Sequence, residues 1–315
     1  MSLMLSQKLF SSGKLWLSPM EGVSDLGFRT LCSRRRASLT FTEMIRADGL
    51  VRGNKATLSL IDTFDKSVPT GIQLFVTKPD VLKKSLAMIR RGMEEKDGRF
   101  SNLSVIDLNF GCPSPEIIKL GGGPAMLKRT ERMRELLTIL RRESPLPCGI
   151  KIRLGLNERE KQAKVYLRVV EMANDLGLDY LTVHPKVASE DSRAPIDFAA
   201  LQEIIDHATI PIVGNGFVVD GLSAKKMLDM GCSAVMIARA AVGNPWVFEE
   251  IEHYLKTGKE KVVRKDYAAV WKEYKTIVEK YGTKEKYFEY HKKVFELRAK
   301  GDVGFHSPSR ILKWV

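Results

Sequence analysis

The stretch from Asp107 to Gly123, DLNFGCPSPEIIKLGGG, places a cysteine directly before a proline at the end of an apolar run. Pro113 favours an extended backbone at Cys112, so the thiol should project from a strand end into the following loop. No cation stands beside Cys112 in the sequence and no helix clearly begins there, so nothing in the sequence indicates a strongly lowered thiol pKa. The pattern is therefore consistent with a neutral thiol that donates a proton, with a thiolate nucleophile, or with an inert buried thiol.

Two cations, Lys151 and Arg153, lie two residues apart in the run CGIKIR. Alternate residues of a strand point to the same face, so both side chains should face the side opposite Ile150 and Ile152. Burying two like charges is costly unless a partner is present. The pair predicts an anionic or electron-rich ligand; the alternative is an ion pair with Glu43 or Asp107.

Further polar groups stand near the ends of other apolar runs. Gln73 offers a donor and an acceptor suited to the edge of a heterocycle, although a cap or loop hydrogen bond is the alternative. His184 is either a ligand contact or a satisfied core histidine. The runs VGNGF and IARAAVGNPW supply glycines and Arg239, and such loops after the last two strands of a barrel commonly bind phosphate.

These groups need a scaffold that brings strand ends together. Short β-branched runs alternate with amphipathic helical patterns, and the predicted strands are 15–20, 39–44, 70–75, 105–110, 148–153, 180–184, 210–215 and 234–239. Eight such units in about 240 residues predict a (β/α)8 TIM barrel, an α/β fold whose active sites lie at the carboxyl ends of the strands. The rival, an open doubly wound sheet, often carries GxGxxG after its first strand, where this chain has EGVSDLGF.

The alternation of strands and helices stops near residue 259. We predict a barrel domain over 1–258 and a small C-terminal helical domain over 259–315. From His253 onward the chain has 16 Lys and Arg against 8 Asp and Glu, and 11 of its 25 aromatic residues. The whole chain carries +13, so a polyanionic partner is indicated, while the alternative for the tail is a packed helical segment with a solvated basic face.

Composition excludes several other classes of protein. No apolar run in the 315 residues is long enough to span a membrane, and the N-terminus lacks the pattern of a signal peptide. The four cysteines are far apart, without the spacing of a zinc site, so disulfides and metal are not expected. These features predict a cytoplasmic protein.

Several motifs, in order, resemble the flavin-dependent tRNA-dihydrouridine synthases. They are LSPMEGVSDLGFR, FTEMI, DLNFGCPSPEIIKLGGGPAML, KIRLG, TVH, VGNGF and MIARAAVGNPWVF, and they span roughly residues 15–248. The combination of DLNxGCP with KxR further along is much more specific than either motif alone. A basic helical tail follows the barrel, as it does in that family.

The resemblance implies bound FMN, with NADPH or NADH as reductant and tRNA as substrate. Hydride would pass to C6 of a uracil and Cys112 would protonate C5. By position, Asn109 matches the residue that orients the base, and Arg153 would serve the uracil or the flavin. The flavin contacts would be Pro19, Met20, Gln73, Lys151 and His184, with Asn215, Gly216, Ala238 and Arg239 at the phosphate end. A uridine in folded tRNA would have to be flipped into the pocket. A monomer is expected.

The chain departs from the family pattern at several positions. Pro185 and Lys186 follow His184 where Gly and Arg are usual, Phe217 replaces an acidic residue, and Ala238 replaces a glycine. Glycines 121–123 were expected to form the mobile part of a loop over the flipped base. Two other functions stay open: a flavin barrel that reduces a small molecule, as dihydroorotate dehydrogenases do, and a non-catalytic RNA-binding barrel.

Overall fold

The computed structural model describes residues 9–191, 194–302, 304 and 307–311. Eight parallel strands form one sheet: β1 Leu15–Leu17, β2 Thr40–Arg46, β3 Thr70–Phe75, β4 Leu103–Phe110, β5 Cys148–Gly155, β6 Tyr180–Val187, β7 Ile212–Asn215 and β8 Ala234–Ile237. From β2 to β8 each strand pairs with the next one in sequence, and β8 also pairs with β1. The Leu17 N–H donates to the Leu39 carbonyl at 2.8 Å, so the sheet closes almost completely and the predicted TIM barrel is confirmed.

Helices surround the barrel: α1 Leu26–Arg34, α2 Ala47–Val51, α3 Lys55–Leu58, α4 Pro79–Glu94, α5 Pro115–Lys119, α6 Thr130–Glu143, α7 Glu158–Gln162, α8 Val165–Leu176, α9 Phe198–His207, α10 Gly221–Asp229, α11 Val247–Thr257, α12 Tyr267–Tyr281, α13 Glu285–Ala299 and α14 Pro308–Ile311. Short 3₁₀ turns cover Gly123–Met126 and Arg239–Ala241. Among the described residues no helix is both long and apolar enough to cross a membrane.

The strands are buried on both faces, as parallel strands covered by helices must be. Inside the barrel, an apolar cluster that includes Trp16, Phe41, Val105 and Tyr180 fills the floor. The edge of the Tyr180 ring packs against Trp16 with centroids 5.2 Å apart. The floor is therefore a packed core, and within the described part of the barrel the space for a ligand lies above it, towards the carboxyl ends of the strands.

Strand register places the polar residues of neighbouring strands side by side. Gln73 pairs with Asp107, Asn109 with Lys151, and Arg153 with His184. These pairs lie on four consecutive strands, β3 to β6. The sequence motifs are thus brought into one row by the sheet itself.

The two tail helices α12 and α13 pack on the barrel beside α1. An apolar cluster joins Leu31 of α1 to Trp246, Tyr274, Ile277 and Phe295, among others. No helix or strand lies between Thr257 and Tyr267, which includes the predicted domain boundary near residue 259. The division into domains 1–258 and 259–315 stays a prediction, since the tail shares buried contacts with the barrel.

Candidate active site

A cavity of about 450 Å³ opens at the carboxyl ends of the strands. Eleven of the predicted site residues line it: Pro19, Met20, Gln73, Asn109, Cys112, Lys151, Arg153, His184, Asn215, Ala238 and Arg239. A second cavity of about 420 Å³ adjoins it, shares His184, Asn215, Ala238 and Arg239, and includes the remaining predicted residue, Gly216. The structure therefore brings together the whole predicted set, in two adjoining parts.

Cys112 is the only one of the four cysteines that is not buried. It follows the end of β4, and its backbone N–H donates to Asn109 Oδ1 at 2.9 Å. Burial of the side chain raises the pKa of the Cys112 thiol, an effect that Arg153 and Lys151 oppose. The net direction is upward, so the thiol keeps its proton at neutral pH, which supports the interpretation as a proton donor over that as a thiolate nucleophile.

Lys151 reaches the cavity without a neutralising partner among the described residues. The predicted alternative, an ion pair with Glu43 or Asp107, does not form: Glu43 Oε1 accepts the Gly22 N–H at 2.6 Å, and Asp107 accepts from Gln73 and Tyr180. Burial, followed by the charge of Arg153, lowers the pKa of Lys151 to about 8. A cation held in this way favours a ligand that is anionic or becomes so.

Arg153 differs from the expectation of a free ligand contact. Its Nε donates to the Gly111 carbonyl at 3.0 Å and one terminal nitrogen donates to the Val187 carbonyl at 3.2 Å. The side chain therefore ties the loop after β4 to the end of β6 while still lining the cavity. Sequence could not show this, because the Gly111 carbonyl lies in the loop after β4 and the Val187 carbonyl at the end of β6, and only the folded barrel brings them together.

His184 is held neutral. Burial, followed by the charges of Lys151 and Arg153, keeps the pKa of His184 far below its ordinary range. Gly216 lies against the ring, since a Cβ built there would fall 2.6 Å from His184 Cδ2. A neutral imidazole among cations offers one donor and one acceptor to a ligand.

Gln73 and Asn109 are joined to each other and to Asp107. Asn109 Nδ2 donates to Gln73 Oε1 at 2.7 Å, and Gln73 Nε2 donates to Asp107 Oδ1 at 2.7 Å. The alternative for Gln73, a cap or loop hydrogen bond, is wrong, because Gln73 lies within β3 and bonds two strand residues. Burial raises the pKa of Asp107 to about 7.

The second cavity draws on the tail, which sequence reasoning missed. Lys265, Tyr267 and Arg298 line it together with Arg239. Lys265 Nζ lies 3.0 Å from Glu250 Oε1, and Arg298 donates to the Val242 carbonyl at 2.9 Å. The only signal in the sequence was the general basic character of the tail.

A model of the dihydrouridine synthase (Dus) family matches residues 16–307, nearly the whole chain. The chain belongs to the dihydrouridine synthase family. The match includes both the barrel and the tail helices, so the tail is part of the family's common architecture rather than an addition.

Curated relatives agree with this assignment. A tRNA-dihydrouridine synthase B of Klebsiella pneumoniae is 30% identical over 248 residues, 78% of this chain and 73% of the relative. A probable tRNA-dihydrouridine synthase of Rickettsia conorii is 28% identical over 276 residues, 86% of this chain and 80% of the relative. Among solved structures, morphinone reductase in complex with tetrahydroNAD gives a TM-score of 0.54 at 13% identity, covering 88% of this chain and 93% of that one, which shows a common fold.

The departures from the family pattern can now be placed. Lys186 lines neither cavity: it is buried and donates to the Asp191 carbonyl at 2.7 Å. Phe217 takes up a left-handed backbone with φ 55° and lines the second cavity. Glycines 121–123, expected to be mobile, are buried, and a Cβ on Gly123 would fall 2.5 Å from the Cys112 carbonyl. Gly122 lies against Phe75 and Gly123 against the Cys112 backbone, so the three glycines are packed rather than an open lid.

Proposed function

We propose that this dihydrouridine synthase reduces a uridine of tRNA to 5,6-dihydrouridine, with FMN as its bound cofactor and Cys112 as the proton donor. The observation that carries the proposal is the position of the one non-buried thiol, with a raised pKa, on the same cavity as Lys151 and the neutral His184. The family and its curated relatives support the substrate class.

The residues present fit a flavin mononucleotide. The first cavity offers amide donors, a lysine without a partner and a neutral imidazole, which suit the carbonyl-rich edge of a flavin ring. The second offers Arg239, Lys265 and Arg298 beside the Asn215–Gly216 turn, which suit a phosphate. When bound and reduced by NADPH or NADH, the flavin supplies a hydride that adds to C6 of the uracil.

The chain's own residues then complete the reduction. Asn109 and Arg153 hold the base, and Cys112 gives its thiol proton to C5 as hydride arrives at C6, so the C5–C6 double bond gains two hydrogens. The resulting thiolate lies near Arg153 and Lys151, whose charges lower the thiol pKa and so stabilise the anion. Solvent returns the proton to the sulfur after the product leaves.

The macromolecular substrate explains the basic tail. Exposed lysines of the tail, including Lys272, Lys286 and Lys292, present positive charge to solvent and suit the phosphates of an RNA backbone. The target uridine must leave its stack to reach the cavity. We further propose that the enzyme is monomeric and cytoplasmic.

Substitution of Cys112 tests the mechanism. Cys112→Ala in the FMN-loaded enzyme should lower the rate of dihydrouridine formation by at least about 100-fold, the usual contribution of a general acid. Bound flavin, seen by its absorbance, and tRNA affinity should stay as in the wild type. Cys32→Ala is the matched control, since Cys32 is buried away from the cavity.

Three outcomes would overturn parts of the proposal. Unchanged activity in Cys112→Ala would remove the acid role. A wild-type protein that cannot be loaded with FMN would favour a non-catalytic RNA-binding barrel. Reduction of free uridine or a small enone without tRNA binding would favour a small-molecule reductase.

A further inference from the structure

A continuous chain of hydrogen bonds runs through the barrel from its floor to the catalytic loop. The Tyr180 hydroxyl donates to Asp107 Oδ2 at 3.0 Å, and Gln73 Nε2 donates to Asp107 Oδ1 at 2.7 Å. Gln73 Oε1 accepts from Asn109 Nδ2 at 2.7 Å. Asn109 Oδ1 then accepts the backbone N–H groups of Gly111 at 3.1 Å and Cys112 at 2.9 Å.

The two ends of this chain leave each amide one orientation. Backbone N–H groups can only donate, so the Asn109 oxygen must face Gly111 and Cys112. Its nitrogen then faces the oxygen of Gln73, and the nitrogen of Gln73 must face an acceptor. Asp107 Oδ1 accepts from Gln73 when the carboxyl is ionised, and it also accepts when a pKa of about 7 leaves a proton on Oδ2. The floor end therefore agrees with the orientation that the loop requires in both charge states.

We propose that Asp107 is a positioning residue for Cys112, which it controls through the amides of Gln73 and Asn109. The inference rests on the proposed function and deepens it. Asp107 is completely buried and does not line the cavity, so it acts on the reaction through the residues that it contacts or through its charge, which partly offsets the lowering of the Lys151 pKa. Gln73 and Asn109 are also nearly buried, at 1% and 8% exposure, so water has little access to replace a lost bond.

The same chain decides what Asn109 offers to a bound ring. Its oxygen already accepts two N–H groups, which uses both lone pairs. Only its second N–H remains, so Asn109 recognises a carbonyl oxygen and cannot recognise an N–H group. Asn109, beside Cys112, therefore selects for rings that carry a carbonyl oxygen, and uracil is such a ring.

Asp107→Asn tests the direction of the chain. An asparagine at position 107 can present its side-chain nitrogen to Gln73. The Gln73 amide would then rotate by half a turn so that its oxygen accepts this N–H. Its nitrogen would face Asn109, whose amide would rotate in turn and point its nitrogen towards the Gly111 and Cys112 N–H groups. In that orientation N–H donors face N–H donors, so the hydrogen bonds from Gly111 and Cys112 to Asn109 are both lost. Tyr180→Phe is the matched control: it removes a buried hydroxyl from the same carboxylate but leaves an acceptor facing Gln73.

Two readouts separate positioning from stability. In the FMN-loaded enzyme, Asp107→Asn should lower the single-turnover rate of dihydrouridine formation roughly 10- to 100-fold, as expected for a misplaced reacting group. Its Kd for tRNA should stay within about twofold of the wild-type value, because Asp107 does not line the cavity. The rate of Cys112 alkylation by iodoacetamide should change at least about threefold, with a shifted pH profile, because its thiol is displaced. The other three cysteines are buried, so the label reports Cys112.

Tyr180→Phe should lower the melting temperature yet leave both rates within about threefold of the wild type. The proposal is overturned if Asp107→Asn matches Tyr180→Phe in both rates, or if the two variants lose rate in proportion to their loss of stability. If Asp107→Asn does not fold, Gln73→Glu is the second variant, because it removes the N–H that Gln73 donates to Asp107 and so breaks the hydrogen-bond chain. An unchanged Cys112 alkylation rate in Gln73→Glu would then overturn the proposal. The alkylation measurement needs no RNA. If the wild type forms no dihydrouridine, the proposed function fails, but the alkylation rates still test whether Asp107 positions Cys112.

Discussion

Replacing Tyr274 with phenylalanine should weaken the docking of the tail on the barrel. The Tyr274 hydroxyl donates to Asp25 Oδ2 at 2.8 Å, across 249 residues of chain. The same carboxylate accepts from the Thr283 hydroxyl at 2.8 Å and the Phe28 N–H at 3.0 Å, and His291 Nε2 lies 3.4 Å from its other oxygen. Burial raises the pKa of Asp25, but His291 and the other donors outweigh it and the net pKa is lowered. The acceptor is therefore charged at neutral pH.

The size of the effect follows from the charge and the burial. A hydrogen bond to a charged group contributes about 1.5–3 kcal/mol, and Tyr274 is completely buried. The ring keeps its packing, so no cavity term is added. At about 2 °C per kcal/mol for a chain of this size, the melting temperature should fall by roughly 3–6 °C.

Differential scanning fluorimetry at pH 7 measures this change, with Tyr281→Phe on the same helix as control. Tyr281 is partly exposed and its hydroxyl makes no hydrogen bond within the described ranges. Tryptic cleavage in the 259–266 linker should also become faster in Tyr274→Phe. A Tm within about 1 °C of the control, together with unchanged cleavage, would refute the idea that this buried bond holds the tail.

Three further changes test the site. Gly216→Ala should weaken FMN binding, measured by flavin fluorescence, because the added Cβ would collide with the His184 ring. Gly177→Ala is the control: Gly177 also has a positive φ but faces open space, so this variant should bind FMN normally. Lys151→Met should raise the melting temperature of the ligand-free protein and lower FMN affinity. The pKa of Lys151 in the folded protein is about 8, below its ordinary value of 10.5. The wild type should therefore gain stability as the pH rises from about 8 to 10.5, and Lys151→Met should not. A lower Tm for Lys151→Met than for the wild type would contradict the cost of burying this lysine. Binding of tRNA should weaken about 10³-fold between 50 and 200 mM salt if six or more phosphates are contacted, and a flat response would exclude a role for the basic tail.

The strands were predictable because each is a short apolar run that is buried on both faces. All six residues of β3 are buried, for example, and its predicted bounds, 70–75, agree with the structure. The ends were less certain: β6 was expected to stop at His184 but continues to Val187, since Pro185 is accommodated within the strand. The carboxyl ends of the strands then located the cavity without further information.

The bonds within the site were not predictable in the same way. The sequence leaves Gln73 open between a ligand contact and a cap or loop bond, because its partners Asp107 and Asn109 lie more than 30 residues away along the chain. From the sequence, Asp107 is only a candidate ion-pair partner of Lys151 and Arg153, and its link to the cysteine loop depends on the register between β3 and β4. Alternation along a strand gives the face of a residue; only the folded sheet gives its neighbours.

The tail also holds the loop after β1 that forms one wall of the first cavity. Pro19, Met20, Glu21 and Val23 line the first cavity, and the Val23 carbonyl lies 2.9 Å from His291 Nε2 of α13. The next turn carries Asp25, which Tyr274 and Thr283 hold. A chain cut at residue 259 would therefore lose the groups that fix the wall of the flavin cavity, as well as the basic surface for RNA. Loss of activity in such a truncation would not by itself identify the tail as an RNA-binding domain, so charge substitutions on the exposed face of α12 and α13 are the cleaner test of that role.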